Sequence, residues 1–385
     1  MLFLLFFIHL AAQAEPTSTA NSSVRALGMG DAYTALADDE SALFYNPAGL
    51  ARVRGINWKI FGVGAGASGL TAASKVSALQ GGSASAFSDA ISELYGEHVW
   101  TGLGGESIFT LPMFGFGIYN HGSALIRVDN PVYPNLHVRV VNDYGYVFGV
   151  GVPAGPIHFG LDLKYIKRTG ADIPMGPSYI ADLDPAAVAE SITAWGVGYG
   201  ADAGVSLVIP APFFSAAMSA VWKNMGKIQF RSLGGSEIPD EDNNVTLGLG
   251  LDFDLPLISI RPAIDVNYLN RSDLQLTRKV NFGIEIGLPL LDIRGGFREG
   301  YYTAGVGLNL GLFRVDAATY GVELGEYPGQ IEDRRYVAEF TMQLGLGNFS
   351  ADGSSAAKGG KAGARGPSSN SSESLWGGKR LKQRR

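Results

Sequence analysis

The sequence predicts an all-β protein, a transmembrane antiparallel β-barrel of about 14 strands. Three observations lead there: a period of two in hydrophobicity kept up over ten residues or so, connections that alternate between short and long, and an apolar leader in front. The period is clearest in Val245 to Leu255, where Val245, Leu247, Leu249, Leu251, Phe253 and Leu255 are apolar. Thr246, Gly248, Gly250, Asp252 and Asp254 fill the gaps. A strand sends successive side chains to opposite faces, so this segment has one oily face and one small or acidic face. Val280 to Leu288 and Tyr302 to Leu312 repeat the pattern, with Asn281, Gly283 and Glu285, or Gly305, Gly307 and Asn309, on the second face. A soluble sandwich would also alternate. Strand length, the sorting of the links and the leader favour lipid on the oily side.

Composition narrows the choice. A chain of 385 residues would suggest two or three soluble domains, but a large barrel uses it as one. Glycine is 53 of 385, roughly twice ordinary usage. Inside strands glycine weakens packing, so its abundance in the alternating runs argues for close backbone approach, strong curvature or a crowded lumen. There is no cysteine, which excludes disulfides, thiolate metal sites and a cysteine nucleophile. No apolar run of about 18 residues follows the N-terminus, which excludes helical spans. Residues 1–14, M-L-F-L-L-F-F-I-H-L-A-A-Q-A, read as the apolar core of a signal peptide ending at Ala12-Gln13-Ala14. The mature chain is expected to begin near Glu15.

Arg25 to Arg52 abandons the period of two. Asp39 can cap a short helix through Glu40 to Phe44, and Asn46 another with Pro47 in its first position, where no N–H is needed. Gly28-Met29-Gly30 is no nucleotide loop, because no strand precedes it and no GxGxxG follows. The run R-A-L-G-M-G-D-A-Y-T-A-L-A-D-D-E-S-A-L-F-Y-N-P-A-G-L resembles the N-terminal signature of the FadL/OmpP1/TodX superfamily of outer-membrane barrels that carry hydrophobic compounds. It is also similar to PorV-type relatives. The resemblance covers this stretch alone; beyond it only the barrel-like layout continues. It implies a bacterial outer-membrane location with both termini periplasmic. It also implies that residues 15–55 form a small hatch, or plug, inside the barrel. Asn46-Pro47-Ala48 matches the superfamily's Asn-Pro-Ala motif, and Gly28, Gly30, Asp38 and Asp39 join it as hatch residues.

The barrel proper is expected over 56–349. Strands are read near 57–67, 106–120, 122–129, 136–152, 157–168, 195–209, 214–231, 244–255, 258–269, 279–288, 290–298, 301–311, 313–323 and 334–347. An even count suits a bacterial single-chain barrel. Every second link is short: Asn120 to Gly122, Pro153 to Pro156, Pro210 to Pro212, Pro256-Leu257, Pro289, and Leu312 with its neighbours. The others are long, Glu299-Gly300 excepted, as periplasmic turns and external loops should be.

Within the first long loop, Leu70 to Thr101, the residues Phe87, Ile91, Leu94 and Tyr95 share a helical face. A second amphipathic stretch opens after Asp184. Such faces pack on a barrel rim, and the resemblance makes them candidates for an external groove that receives greasy cargo. After Phe349 the composition becomes Ser-, Gly-, Ala- and Lys-rich. Residues 350–385 carry a net +6, leaving −12 for the rest. A segment so poor in apolar residues is expected to be a disordered basic tail, either inert or touching anionic periplasmic and envelope polymers.

The five histidines show no metal spacing, and no HExxH, GxSxG or Walker sequence occurs, so neither an enzyme, a metal nor a cofactor is expected. The gap positions offer charge: Asp162 with Lys164, Arg261 with Asp265, and Asp292, Arg294 and Arg298 on adjoining strands. These are expected to brace the wall from within and pin the hatch, because on the lipid face each would cost roughly 2 to 4 kcal/mol. By resemblance the protein is an outer-membrane channel or transporter for long-chain fatty acids or similar hydrophobic compounds, with a side opening in a plugged barrel. Its partners would be outer-membrane lipid and hydrophobic small molecules, not nucleic acid. Two other readings stay open: a PorV-like anchoring and shuttle protein for secretion, and a structural envelope barrel.

Overall fold

A computed structural model describes residues 22–69, 96, 98–129, 135–176, 190–232, 238–325 and 327–347. The leader, Phe87, Ile91, Leu94, Tyr95, most of the stretch after Asp184, and the basic tail lie outside the described residues. The chain opens with helix α1 (Val24–Gly28), helix α2 (Ala42–Tyr45) and a 3-10 turn (Pro47–Arg52). The strands that follow are β1 (Ile56–Ala67), β2 (His98–Leu111), β3 (Phe114–Asp129), β4 (Asn135–Ala154), β5 (Ile157–Met175), β6 (Trp195–Pro210) and β7 (Phe214–Lys223). After a two-residue β8 (Arg231–Ser232) come β9 (Asn244–Asp254), β10 (Ser259–Val266), β11 (Val280–Gly287), β12 (Leu291–Arg298), β13 (Tyr301–Asn309), β14 (Phe313–Glu323) and β15 (Glu332–Leu346). A one-turn helix α3 (Leu276–Lys279) precedes β11.

Each long strand pairs antiparallel with its neighbours, β1 pairs β15, and β5 pairs β6, so the sheet closes. Leaving out β8, the ring has the expected fourteen strands. No edge remains to be covered. Along each strand the period of two becomes a period in exposure: Phe148, Tyr146 and Tyr144 point out, while Gly149, Val147 and Asp143 point in. Aromatic contacts run around the outside, from Tyr144 through Tyr146 and Tyr165 to Tyr199. Phe313, Phe340 and Phe61 form another such series nearer the short turns. That is the apolar, aromatic-belted exterior a bilayer requires.

Strand β5 runs on to Met175, past the end read at 168, β10 stops at Val266, short of 269, and two further boundaries depart from expectation. The link read at Asn120 to Gly122 is strand interior, and Thr101, read as loop, belongs to β2. The turn is at Pro112-Met113. Pro112 has no N–H to give a ladder, Met113 takes a left-handed φ of 77°, and its N–H bonds Leu50 O at 3.1 Å. The strand read as 214–231 stops at Lys223. Asn224, Gly226 and Lys227 have φ of 50°, 83° and 74°, which breaks the pleat. The chain regains its place beside β6 only at β8, where Val197 faces Arg231.

Candidate functional site

Residues 22–55 are almost wholly buried, and what they touch is the inward face of the ring. The wall is made of glycine where they touch it. A Cβ on Gly160 would lie 2.1 Å from Ala48 N, one on Gly283 2.0 Å from Met29 O, and one on Gly204 2.3 Å from Asn46 Oδ1. Gly28 approaches Gly305, and Gly30, at φ 66°, nestles against the Phe282 and Phe297 backbone. Leu43 and Leu50 fill the space over Gly115 and Gly149. These contacts lie on strands from both halves of the ring.

Local chemistry shapes the segment. Asp39 Oδ1 accepts the Ser41 N–H at 3.0 Å ahead of α2, and Asn46 Oδ1 accepts the Ala48 N–H at 3.1 Å with Pro47 in the first position of the turn. The Asn46 amide also donates to Thr34 O and to Ser206 Oγ of β6, which fastens the Asn-Pro-Ala corner to the wall. Arg52 donates to Ala35 O and Ala37 O. Asp38 has no hydrogen bond to its Oδ1. Burial pushes its carboxyl above the usual range, with Arg52 and Arg261 opposing.

Ionic contacts tie segment to wall. Arg25 donates to both oxygens of Glu285 on β11, at 2.8 and 2.6 Å, and to Asp39 at 2.8 Å. Arg294 on β12 reaches the same Glu285 at 2.7 Å, Asp316 of β14 at 2.7 Å and Asp292 at 3.2 Å. Asp265 accepts the N–H groups of Tyr33 and Thr34, both at 2.9 Å. Arg298 pairs with Glu299 at 3.0 Å and stacks over Tyr320.

Of the expected charge pairs, Asp292 with Arg294 is formed, while Asp162 with Lys164 and Arg261 with Asp265 are re-partnered. Arg261 bonds Asp252 at 3.1 Å, not Asp265; Lys164 bonds Asp202 of β6, and Asp162 accepts the Asp202 N–H at 3.2 Å. Asp292, Arg294 and Arg298 all stand on β12 rather than on adjoining strands. Cross-strand neighbours stand nearer 5 Å and supply most of these partners, but long arginines also reach a carboxylate two residues along their own strand, as Arg294 does to Asp292. Sequence reasoning missed Arg25, Lys59, Glu285 and Asp316 as site residues. Glu285 and Asp316 sit in the gaps of apolar alternation, and that parity was the available signal.

The break in β7 turns inward. Ile228, Phe230 and Ile238 are buried with Ile166, over Gly198 and Gly200 of β6. Arg168 of β5 holds this fold, donating to Asp143 on β4, to Pro239 O at 2.9 Å and to Glu241 at 2.9 Å. The Asn224 N–H leaves the ladder there and goes to Asp202 at 2.7 Å. Between this fold and the N-terminal segment lies a cavity of about 340 Å3, edged by Lys59, Glu106, His121, Lys164, Lys223 and Glu40. Among the described residues no group of His, Cys, Asp or Glu is placed to hold a metal ion.

No family profile matches the chain, and no curated protein does. Among solved structures it is similar to the TodX monoaromatic hydrocarbon channel deltaS2 mutant, at 11% identity and TM-score 0.48, over 85% of this chain and 100% of that one. It is similar to the Ralstonia pickettii toluene transporter TbuX at 12% identity and TM-score 0.40, over 83% and 97%. A Pseudomonas aeruginosa FadL homologue is similar at 12% identity and TM-score 0.31, over 86% and 98%.

Proposed function

We propose that the protein takes hydrophobic compounds, long-chain fatty acids or similar molecules, across the bacterial outer membrane, and that its cargo leaves sideways through the wall. The carrying observation is the pairing of a filled, charged interior with the interruption of strand β7 at 224–230. An oily molecule cannot pass a lumen crossed by Arg25–Glu285, Lys59–Glu106 and Arg168–Asp143, because parting those buried ion pairs costs more than its own burial returns. The outward surface beside the break, Tyr199 and Trp222, is exposed and aromatic. Ile228, Phe230 and Ile238 give the break an apolar lining beside that exposed surface. The N-terminal resemblance supports the same reading, with residues 22–55 as the plug and the short turns on the periplasmic side.

The chain lacks cysteine, so a disulfide staple tests the exit cleanly. Val197 and Arg231 stand directly opposite each other across β6 and β8. With Val197→Cys and Arg231→Cys oxidised, cells should lose uptake of radiolabelled oleate and toluene and regain it on reduction. Uptake equal in the oxidised and reduced states would defeat the sideways exit.

A further inference from the structure

The cavity between the plug and the inward fold is polar. An apolar cavity of ~150 Å3 holds a benzene, so about 340 Å3 admits a solute of roughly a dozen heavy atoms. Most charges facing it are already satisfied. Lys59 lies between Glu106 and Glu339, Lys164 on Asp202, Arg168 on Asp143 and Glu241, and Arg314 on Asp316.

Two charges are not. Lys223 points inward from the end of β7, and among the described residues its ammonium has neither ion pair nor hydrogen bond; it rests 4.7 Å from the ring centre of Tyr45. The carboxylates that act on it are engaged elsewhere: Asp31 by the Tyr45 hydroxyl, Asp202 by Lys164, and Asp265 by the backbone of Tyr33 and Thr34. Glu40, on the plug, likewise has no partner on another described residue. The cations acting on it, Lys59 and Arg314, are those already held by Glu106, Glu339 and Asp316. In the ring, β7 stands across from the β14, β15 and β1 sector toward which Glu40 is turned. An anion and a cation without partners thus face one cavity from opposite sides.

We propose that this cavity binds a small zwitterion, its carboxylate on Lys223 and its ammonium on Glu40, beside the Phe44 ring. An unpaired charge out of bulk water is costly, and a ligand bearing both complementary charges relieves both costs at once. A singly charged ligand relieves one and leaves the other. The site borders the break at 224–230, but its occupation by a zwitterion does not require that greasy cargo leave there.

The test is equilibrium dialysis of the purified full-length protein against radiolabelled glycine, 4-aminobutyrate and 6-aminohexanoate, whose increasing span measures the gap, with acetate and methylammonium as single-charge probes. At least one of the three amino acids should bind saturably and roughly tenfold or more tighter than either single-charge probe. Lys223→Met and Glu40→Gln should each weaken that binding by about tenfold or more, while Lys223→Arg retains it. Heat-modifiable electrophoretic mobility confirms that each variant barrel has closed, and Lys223→Arg paired with Glu40→Gln carries the test if Lys223→Met does not assemble. No saturable binding by any of the three, binding matched by acetate, or binding indifferent to both neutralising variants would overturn the site.

Discussion

The Glu40 carboxyl is pushed up to about 7 by burial and by neighbouring Asp39, against the pull of Lys59 and Arg314. The groups around it are Asp39 on its own segment, Lys59 on β1, Arg314 on β14, and Glu106, His121 and Glu339 gathered about Lys59. In a released plug the same carboxyl would titrate near 4.5. The docked form therefore holds the extra proton between those values. The Glu40 contribution to docking is fullest below about 4.5, falls away as pH climbs to about 7, and is level above that. Amide exchange over residues 33–45, corrected for its intrinsic pH dependence, should be faster at about pH 8 than at about pH 5, and Glu40→Gln should flatten the difference. Equal protection at both values in the parent protein would contradict this. Zwitterion affinity should move the other way, rising through about pH 7 as Glu40 ionises. At this scale the sequence was partly legible. Alternation marked which charges face inward, but Arg25 meets Glu285 across 260 positions, and no spacing announces such a partner.

Among the elements, the glycines of the wall carry the most information. Their place in the gaps of the alternating runs left close backbone approach, strong curvature and a crowded lumen open, and the structure shows close approach by backbone: Met29 over Gly283, Pro47 and Ala48 over Gly160. A methyl there cannot be absorbed by a side-chain rotation. Gly160→Ala and Gly283→Ala should each destabilise plug docking by about 1–3 kcal/mol without stopping the barrel from closing. Gly295→Ala, whose Cβ would meet nothing nearer than Thr303 O at 4.0 Å, should be silent. Limited trypsinolysis after Arg25 and Arg52 reads the difference; cleavage equally slow in all three variants would count against a seated plug. The same alternation misled at β2 and β3, because it runs on through Asn120 to Gly122 and hides the turn at Pro112. It also missed the β7 break, which depends on three left-handed residues of which only one is glycine.

The molecule as a whole is lopsided. Strand β4 has 20 residues, whereas β10, β11 and β12 have 8 each. At about 3.3 Å per residue and a tilt near 40°, eight residues span roughly 20 Å, less than the usual apolar band of about 25 Å. Leu257, Leu290 and Leu310, exposed in the turns on that low side, make up the height. The tall side, β2 to β6, exceeds the height of that band and carries the Arg168 fold. Strand number and the lipid-facing surface were readable from period and link length, since both follow from local rules. The closure of the interior was not, because it arises from contacts between distant segments. The most direct test of a barrel that is filled rather than open is single-channel conductance in planar bilayers, comparing the full-length protein with a form lacking residues 25–50. The full-length protein should show no steady ion current, and the shortened form, once its closed barrel is confirmed by heat-modifiable mobility, should conduct. A steady current of the same size from both would contradict the plug and, with it, the sideways route.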